Sequence, residues 1–173
     1  MGVVQWVAVS TVRPALLLDV DGVLNPYAAP ECPPGYHEHR YQPGLLWGPR
    51  GLRVWLNPEH GPMLTGFAQE YGLELVWATT WEQQASEWIA PRVGLPGDLA
   101  VIRFGTGAVV KRPKVEQWAG DRPYAWFDDM FTEADLEWAA DRADREVLLV
   151  PIRPDVGLRD GDLKPVAEWV GRL

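Results

Sequence analysis

The chain contains little cysteine, little positive charge and no long apolar segment. Cys32 is its only cysteine, which excludes an intramolecular disulfide and a zinc site built from several thiolates, and we expect a reducing compartment. The 16 lysines and arginines are outnumbered by 24 aspartates and glutamates, and the net charge is −8. This balance argues against a broad nucleic-acid-binding surface and against binding to anionic membranes.

The sequence also lacks the features of an exported or membrane-inserted protein. No apolar run is long enough to span a bilayer, and residues 1–14 have neither the basic flank nor the apolar core of a secretory leader. We therefore expect a cytoplasmic protein. A length of 173 residues, of which 47% are hydrophobic, is typical of one compact domain, and we expect a single domain over residues 1–173.

Tryptophan is unusually abundant in this chain, and most of these side chains are expected in the core or half-buried around it. The ten tryptophans are Trp6, Trp47, Trp55, Trp77, Trp81, Trp88, Trp118, Trp126, Trp138 and Trp169.

The segment ALLLDVDGVLNP, residues 15–26, is an apolar run followed by two closely spaced carboxylates. Such a run is typical of a strand buried on both faces of a parallel sheet, and these sheets bind ligands beyond the carboxyl ends of their strands. Asp19 is expected at that end, and Gly22 permits the bend that would bring Asp21 toward it. Two carboxylates about 4 Å apart repel each other, so the site must bind a cation, hold a proton or do both. Magnesium fits best, because it favours a few carboxylates together with water and phosphate oxygens.

A second apolar run, in LELVWATTW at residues 73–81, ends in Thr79 and Thr80. A threonine pair in this position is most often a helix cap, and Thr80 could cap a helix that begins near Trp81. A helix amino terminus is also a site for anions, so the two roles can coexist.

A possible anion-binding lysine lies at the start of another predicted helix, in KRPKVEQW at residues 111–118. Pro113 suits the first turn of a helix. We favour Lys111, which precedes the helix and can reach the strand ends, over Lys114, which is expected on the helix surface.

A third strand, YAWFDDM at residues 124–130, ends in Asp128 and Asp129. Two acidic residues here could form no more than a polar turn, but they come last of four segments that follow one another in a consistent order along the chain. Thr132 then caps the next helix with Asp135 three residues later, and Asp160 is the expected cap of the last helix.

Predicted strands and helices alternate along the chain, which indicates an α/β fold with a parallel sheet covered by helices. The predicted strands are 15–19, 73–78, 99–103, 124–128 and 146–150. The predicted helices are 62–71, 81–90, 113–119, 133–143 and 162–171.

These segments together resemble the motifs of the haloacid dehalogenase (HAD) superfamily. The superfamily has the sequence DxDGxL after its first strand, a strand ending in Ser or Thr, a lysine near a helix start and a strand ending in paired aspartates, and all four occur in order over residues 15–132. The ATTW, KxPxV and WFDD segments are most similar to small bacterial HAD-like hydrolases and to HAD domains of nucleic-acid repair proteins. The resemblance implies a Rossmann-like three-layer αβα sandwich with a central parallel sheet and a minimal cap.

The resemblance also implies roles for the individual side chains. Asp19 would attack phosphorus to form an aspartyl-phosphate, and Asp21 would serve as general acid and base. The substrate-binding residues would be Thr79, Thr80 and Lys111. The Mg²⁺ ligands would be Asp19, Asp21 through its backbone carbonyl, Asp128 and Asp129. The carbon–halogen hydrolases of this superfamily lack the second carboxylate, so Asp21 favours phosphoryl chemistry.

Residues 25–61 are rich in proline and aromatic residues, and the superfamily inserts its substrate-covering cap between the first two motifs. We expect a short flap with at most a hairpin, formed by HEHRYQP and LRVWLNP, instead of a helical cap domain. His37 and His39 could share a strand face, but without a nearby cysteine a zinc site is less favoured than a polar hairpin face. A small cap would admit bulky phosphorylated substrates.

Two functions remain open at this point. The first is a Mg²⁺-dependent phosphatase acting on a phosphorylated small molecule, a nucleotide or a nucleic-acid end. The second is a catalytically weak HAD-like protein that binds a phosphorylated ligand or a protein partner through the tryptophan-rich flap. The side chains expected at the site favour the enzyme.

Overall fold

The computed structural model describes residues 12–42, 44, 50–105, 107, 110–142 and 146–173. In chain order the strands and helices are β1 (Ala15–Leu18), β2 (His37–Tyr41), β3 (Leu52–Leu56), α1 (His60–Tyr71), β4 (Glu74–Trp77), α2 (Ala90–Val93), β5 (Ala100–Val101), α3 (Arg112–Ala119), β6 (Tyr124–Asp128), α4 (Glu133–Ala140), β7 (Val147–Pro151) and α5 (Lys164–Val170). A π-helical turn (Ala85–Ile89) precedes α2, and a 3₁₀ turn (Asp160–Leu163) precedes α5.

The centre of the molecule is a five-stranded sheet in the order β5-β4-β1-β6-β7. Every pair of neighbouring strands in it is parallel. Strand β1 lies in the middle, and all four of its residues are fully buried, as its continuous apolar sequence predicts.

Helices cover both faces of the sheet, so the fold has three layers. Leu16 and Leu18 of β1 belong to the apolar cluster that includes residues of α1, α2 and α5. Leu17, which points to the other face, belongs to the cluster that includes residues of α3 and α4. The predicted α/β Rossmann-like sandwich is confirmed.

The predicted strands agree with the observed ones to within about two residues at each end. The tryptophan prediction is also confirmed where it can be compared: five described tryptophans are buried and Trp88, Trp118 and Trp138 are half-buried. Trp6, Trp47 and residue 143 of the fourth predicted helix lie outside the described residues.

The second predicted helix begins later than expected, and the expected cap at Thr80 is wrong. Glu82 has a φ of 46°, which is incompatible with a right-handed helix at that residue. Its carboxylate instead accepts hydrogen bonds from the backbone N–H groups of Phe104 and Gly105, both at 2.8 Å. The chain after β4 therefore forms a turn that braces the loop beyond β5 before the π-helical turn begins.

The two helix caps predicted near the end of the chain have opposite outcomes. The Thr132 hydroxyl accepts a hydrogen bond from the backbone N–H of Asp135, and the Asp135 carboxylate accepts one from the backbone N–H of Thr132. The expected cap at Asp160 is wrong, because Asp160 is the first residue of the 3₁₀ turn that precedes α5. At the start of that turn the Asp162 carboxylate accepts the backbone N–H of Arg159 at 2.7 Å.

The predicted flap contains the predicted hairpin. Strands β2 and β3 pair antiparallel, with His39 opposite Val54, and no helix lies between residue 25 and the start of α1 in the described part of this segment. Pro43 at the end of the predicted first hairpin strand lies outside the described residues. In the described ranges, no helix is both long and apolar enough to cross a membrane.

Candidate active site

The side chains predicted to form the site follow three adjacent strands that end at one edge of the sheet. Leu18, the last residue of β1, pairs with Trp77 of β4 on one side and with Phe127 of β6 on the other. The backbone N–H of Asp19 then donates to the carbonyl of Phe127 at 3.2 Å. This register brings residue 19, the threonine pair after β4 and the aspartate pair at the end of β6 to the same edge.

Three carboxylates meet at this edge. One oxygen atom from each of Asp19, Asp128 and Asp129 lies within 4.8 Å of the other two. Asp19 and Asp128 are only 4% and 2% exposed, so their charges are largely removed from water. Hard divalent cations such as Mg²⁺ prefer oxygen ligands of this kind, and the spacing of the three oxygens fits one such cation between them.

Gly22 allows Asp129 to approach this cluster. Its φ is 79°, and a Cβ at this position would lie 2.2 Å from Cγ of Asp129. The turn after Asp19 and the loop after β6 can therefore touch only if residue 22 has no side chain.

Lys111 is in direct contact with the cluster. Its Nζ donates to Oδ2 of Asp19 at 2.5 Å and to Oδ2 of Asp128 at 2.7 Å. Lys114 is exposed, and its side chain donates to Gln117 on the surface of α3. Of the two lysines weighed from the sequence, the structure brings only Lys111 to the strand ends.

Burial and neighbouring charges shift the ionisation of these groups. Burial raises the pKa of Asp19 to about 7; the charge of Lys111 opposes this shift and the charge of Asp128 adds to it. Although burial opposes the change, the charges of Asp19 and Asp128 raise the pKa of Lys111. Burial also raises the pKa of Asp129. With a pKa of about 7, Asp19 is only partly ionised at neutral pH, and a divalent cation that binds there must displace its remaining proton.

Asp21 is close to the cluster but is not one of its three carboxylates. Its Oδ1 accepts a hydrogen bond from the Asn25 amide, and its Oδ2 accepts one from the Trp81 indole N–H, both at 2.8 Å. The sequence did not identify Asn25 or Trp81 as functional, nor Tyr27, whose hydroxyl donates to Asp129 at 2.9 Å. The only signal for these residues in the sequence is their position. Asn25 and Tyr27 follow the first carboxylate pair, and Trp81 follows the threonine pair.

The two threonines occupy different environments. Thr79 is fully buried, and its hydroxyl hydrogen-bonds with Asp19 and accepts the backbone N–H of Trp81 at 3.4 Å. Thr80 is exposed and lines the cavity above the carboxylates. Thr79 thus contacts Asp19 from the buried side, away from the cavity, and Thr80 is the threonine that faces the cavity.

A cavity of about 570 Å³ opens above the cluster, large enough for a small organic ligand. Asp19, Asp21, Lys111, Asp128 and Asp129 all line it. The hairpin contributes Leu52 and Arg53 to its wall, and the loops before α3 and after β6 contribute Val110, Met130 and Phe131.

Comparison with known families gives a match over most of the chain. The family model described as the HAD domain in Swiss Army Knife RNA repair proteins matches residues 15–163. Searches of curated proteins and of solved structures found no match. The matched range contains the whole sheet and every side chain of the site described above.

Proposed function

The chain belongs to the family of HAD domains found in Swiss Army Knife RNA repair proteins, and we propose that it is a Mg²⁺-dependent phosphomonoesterase that acts through an aspartyl-phosphate on Asp19. Family membership supports a hydrolase-like domain. The observation that carries the finer proposal is the buried Asp19 at the end of the central strand, in contact with Lys111 and facing a cavity.

The metal would be held by Asp19, Asp128 and Asp129, with the backbone carbonyl of Asp21 as a further ligand. When bound, Mg²⁺ supplies positive charge that lowers the repulsion between an anionic nucleophile and an anionic phosphate. Lys111 and Thr80 supply donors for the phosphoryl oxygens, which is the main task of a protein in phosphoryl transfer.

The reaction proceeds in two displacements. A carboxylate oxygen of Asp19 forms a bond to phosphorus, the bond from phosphorus to the leaving oxygen breaks, and Asp21 gives that oxygen a proton. Water then attacks the phosphorus of the aspartyl-phosphate, Asp21 takes a proton from the water, and inorganic phosphate and the free Asp19 carboxylate are released. The backbone N–H of Val20 donates to Oδ1 of Asp19 at 2.7 Å and helps to fix this carboxylate.

The rim of the cavity supports a terminal phosphate of a polynucleotide as the substrate. Val110 and Met130 are 63% and 67% exposed, and Tyr27 beside them is 45% exposed, so together they offer an apolar surface on which a base can rest. Arg53 lies on the same wall, where its guanidinium packs over the Trp55 ring at 3.9 Å. It forms no ion pair with the residues that the structure describes, so its charge can pair with a neighbouring phosphodiester. The family model, which describes HAD domains of RNA repair proteins, agrees with this choice.

A phosphate-release assay tests the proposal. The substrates are an oligoribonucleotide with a terminal phosphate, a mononucleotide and a sugar phosphate, each with Mg²⁺ or with EDTA. We expect release that requires Mg²⁺, is fastest on the oligoribonucleotide and is abolished by Asp19→Asn. The matched control is Asp98→Asn, which removes an exposed carboxylate before β5, outside the site, and should leave the rate unchanged.

Two results would contradict the proposal. Turnover retained by Asp19→Asn would eliminate the aspartyl-phosphate. Binding of a phosphorylated ligand without any turnover would favour the catalytically weak binding protein; the contacts of Lys111, which partly neutralise Asp19 and Asp128 without a metal, are the observation in favour of that second function.

A further inference from the structure

The carboxylate of Asp21 is held at both of its oxygen atoms. The Trp81 indole N–H and the Asn25 amide each donate to a different oxygen at 2.8 Å. Each carboxylate oxygen has two positions that can accept a hydrogen bond or carry a proton. The two donors therefore fix the orientation of the group and still leave a position on each oxygen for proton exchange in the cavity that Asp21 lines.

The indole that donates to Asp21 is itself held by ring contacts. Trp81 is 9% exposed, and its ring packs against Tyr41 of β2, with centroids 4.7 Å apart. On the turn that follows, the ring of Trp88 stacks with that of Trp81 at 5.8 Å and 14°. The position of the indole N–H thus depends on the first strand of the hairpin.

The second donor depends on the other strand of the hairpin. Asn25 is buried, and its side-chain oxygen accepts the backbone N–H of Trp55 in β3 at 3.0 Å. This contact fixes the amide so that its nitrogen faces Asp21. Each strand of the hairpin therefore supports one of the two groups that hold the carboxylate.

We propose that Trp81 and Asn25 are positioning residues for proton transfer by Asp21, and that the hairpin orients Asp21 through them as well as covering the site. This inference rests on the proposed function, in which Asp21 protonates the leaving oxygen. A general acid acts only when it lies within hydrogen-bond reach of the atom it protonates. Both donors are neutral, so they restrict the rotation of the Asp21 side chain without adding a charge beside the phosphate.

The test uses three variants of the full chain. Trp81→Phe keeps an aromatic ring and removes the N–H. Trp88→Phe is the matched control, because it changes a tryptophan of the same ring cluster with no hydrogen bond to Asp21. Asn25→Asp keeps the size of the side chain and an acceptor for the Trp55 N–H, but replaces the nitrogen that donates to Asp21 with an oxygen that repels the Asp21 carboxylate.

The decisive measurement is how strongly the rate depends on the leaving group. A nitrophenolate leaves without a proton, whereas an alkoxide needs one, so a badly oriented acid slows an alkyl phosphate much more than p-nitrophenyl phosphate. Because general acid catalysis contributes about 10²–10⁴-fold, we expect Trp81→Phe and Asn25→Asp to lower kcat on the alkyl phosphate roughly 10–100-fold and on p-nitrophenyl phosphate only about two- to threefold. Trp88→Phe should change both rates by the same factor.

A second measurement does not depend on turnover. In a spectrum of ¹⁵N-labelled protein, the Trp81→Phe variant identifies the Trp81 indole resonance by its disappearance. Asp21→Asn should shift that resonance, because the charged acceptor is lost, while the Trp88 indole resonance stays in place.

The outcomes separate this inference from the proposed function. A wild-type protein that hydrolyses neither ester contradicts the proposed function and removes any role for Asp21 in catalysis. An active wild type overturns the inference alone if Trp81→Phe slows both esters equally, if Trp88→Phe reproduces its leaving-group selectivity, or if Asp21→Asn leaves the Trp81 indole resonance unmoved.

Discussion

Lys111 lies between two carboxylates that would otherwise repel each other at the base of the cavity. Asp19 and Asp128 are both nearly inaccessible to solvent, and Lys111 contacts an oxygen of each. A buried carboxylate without a partner is costly, so this lysine stabilises the pair when no metal is bound. The same Nζ is the donor nearest to Asp19, where the transferred phosphoryl group would form its new bond.

Removing the charge of Lys111 should therefore have a large effect. Lys111→Met is expected to lower kcat/KM roughly 10²–10³-fold, the loss typical of one donor to a developing anion. The control is Lys114→Met, at an exposed position of α3. Its kcat/KM should stay within about twofold of the wild-type value. Steady-state kinetics with Mg²⁺, together with circular dichroism to verify folding, measure both, and equal losses in the two variants would show that Lys111 has no special part in the reaction.

The side chains that the strands bring together at the candidate site could be predicted from the sequence, whereas the residues that hydrogen-bond to them could not. Asp19 and Asp128 follow apolar runs, and parallel strands place such residues at one edge. The sequence does not reveal the contacts of Trp81 and Asn25, because their hydrogen bonds to Asp21 depend on the path of two turns. The sequence does not distinguish Thr79 from Thr80, because the two neighbours differ only in which of them faces the cavity.

At the scale of elements, long regular segments were predictable and the irregular one was not. β1 and β6 are continuous apolar runs, and the sequence places both to within one residue. The helical segment after β4 begins later than the sequence predicts because Glu82 adopts a left-handed backbone conformation. Its carboxylate accepts a hydrogen bond from the loop beyond β5, which is distant in sequence. Contacts between distant segments leave no local periodic pattern from which such a turn can be inferred.

The two strands of the hairpin could be predicted from the sequence, but the contacts that the hairpin makes with the site could not. The sequence predicts HEHRYQP and LRVWLNP as the two paired segments, and β2 and β3 lie within them and pair antiparallel. Its contacts with Asn25 and Trp81 arise only when the hairpin packs over the edge of the sheet. A cap of this size leaves the cavity open, and Leu52 and Arg53 of the hairpin form part of its wall.

At the scale of the whole molecule, His60 links the start of α1 to the segment that precedes α5. Its ring is buried, and Nε2 lies 3.2 Å from the carbonyl oxygen of Leu158. Burial lowers the pKa of His60 from 6.5 to about 4, and the hydrogen bond to Leu158 opposes this shift. At pH values between about 4 and 6.5, His60 therefore binds a proton in the unfolded chain but not in the folded protein.

The contribution of His60 to stability should therefore fall as the pH falls from 6.5 toward 4, by up to about 1.4 kcal/mol per pH unit for one proton. The raised pKa of Asp19 acts in the opposite direction in metal-free protein, because there the folded state binds the extra proton. The contribution of His60 is isolated by the difference between wild type and His60→Gln in urea unfolding at pH 7 and pH 5. That difference should shrink at pH 5; a constant difference between pH 7 and pH 5 would refute the assignment.

The central proposal is that Asp19 is the nucleophile, and trapping the intermediate tests it most directly. The protein is mixed with a phosphate ester and Mg²⁺, quenched with acid during turnover and treated with borohydride, which reduces an aspartyl-phosphate to homoserine. Mass spectrometry of the peptides should find homoserine at position 19, and only when substrate and Mg²⁺ are both present. Turnover with an unmodified Asp19, or homoserine at position 21 or 128 instead, would contradict the account.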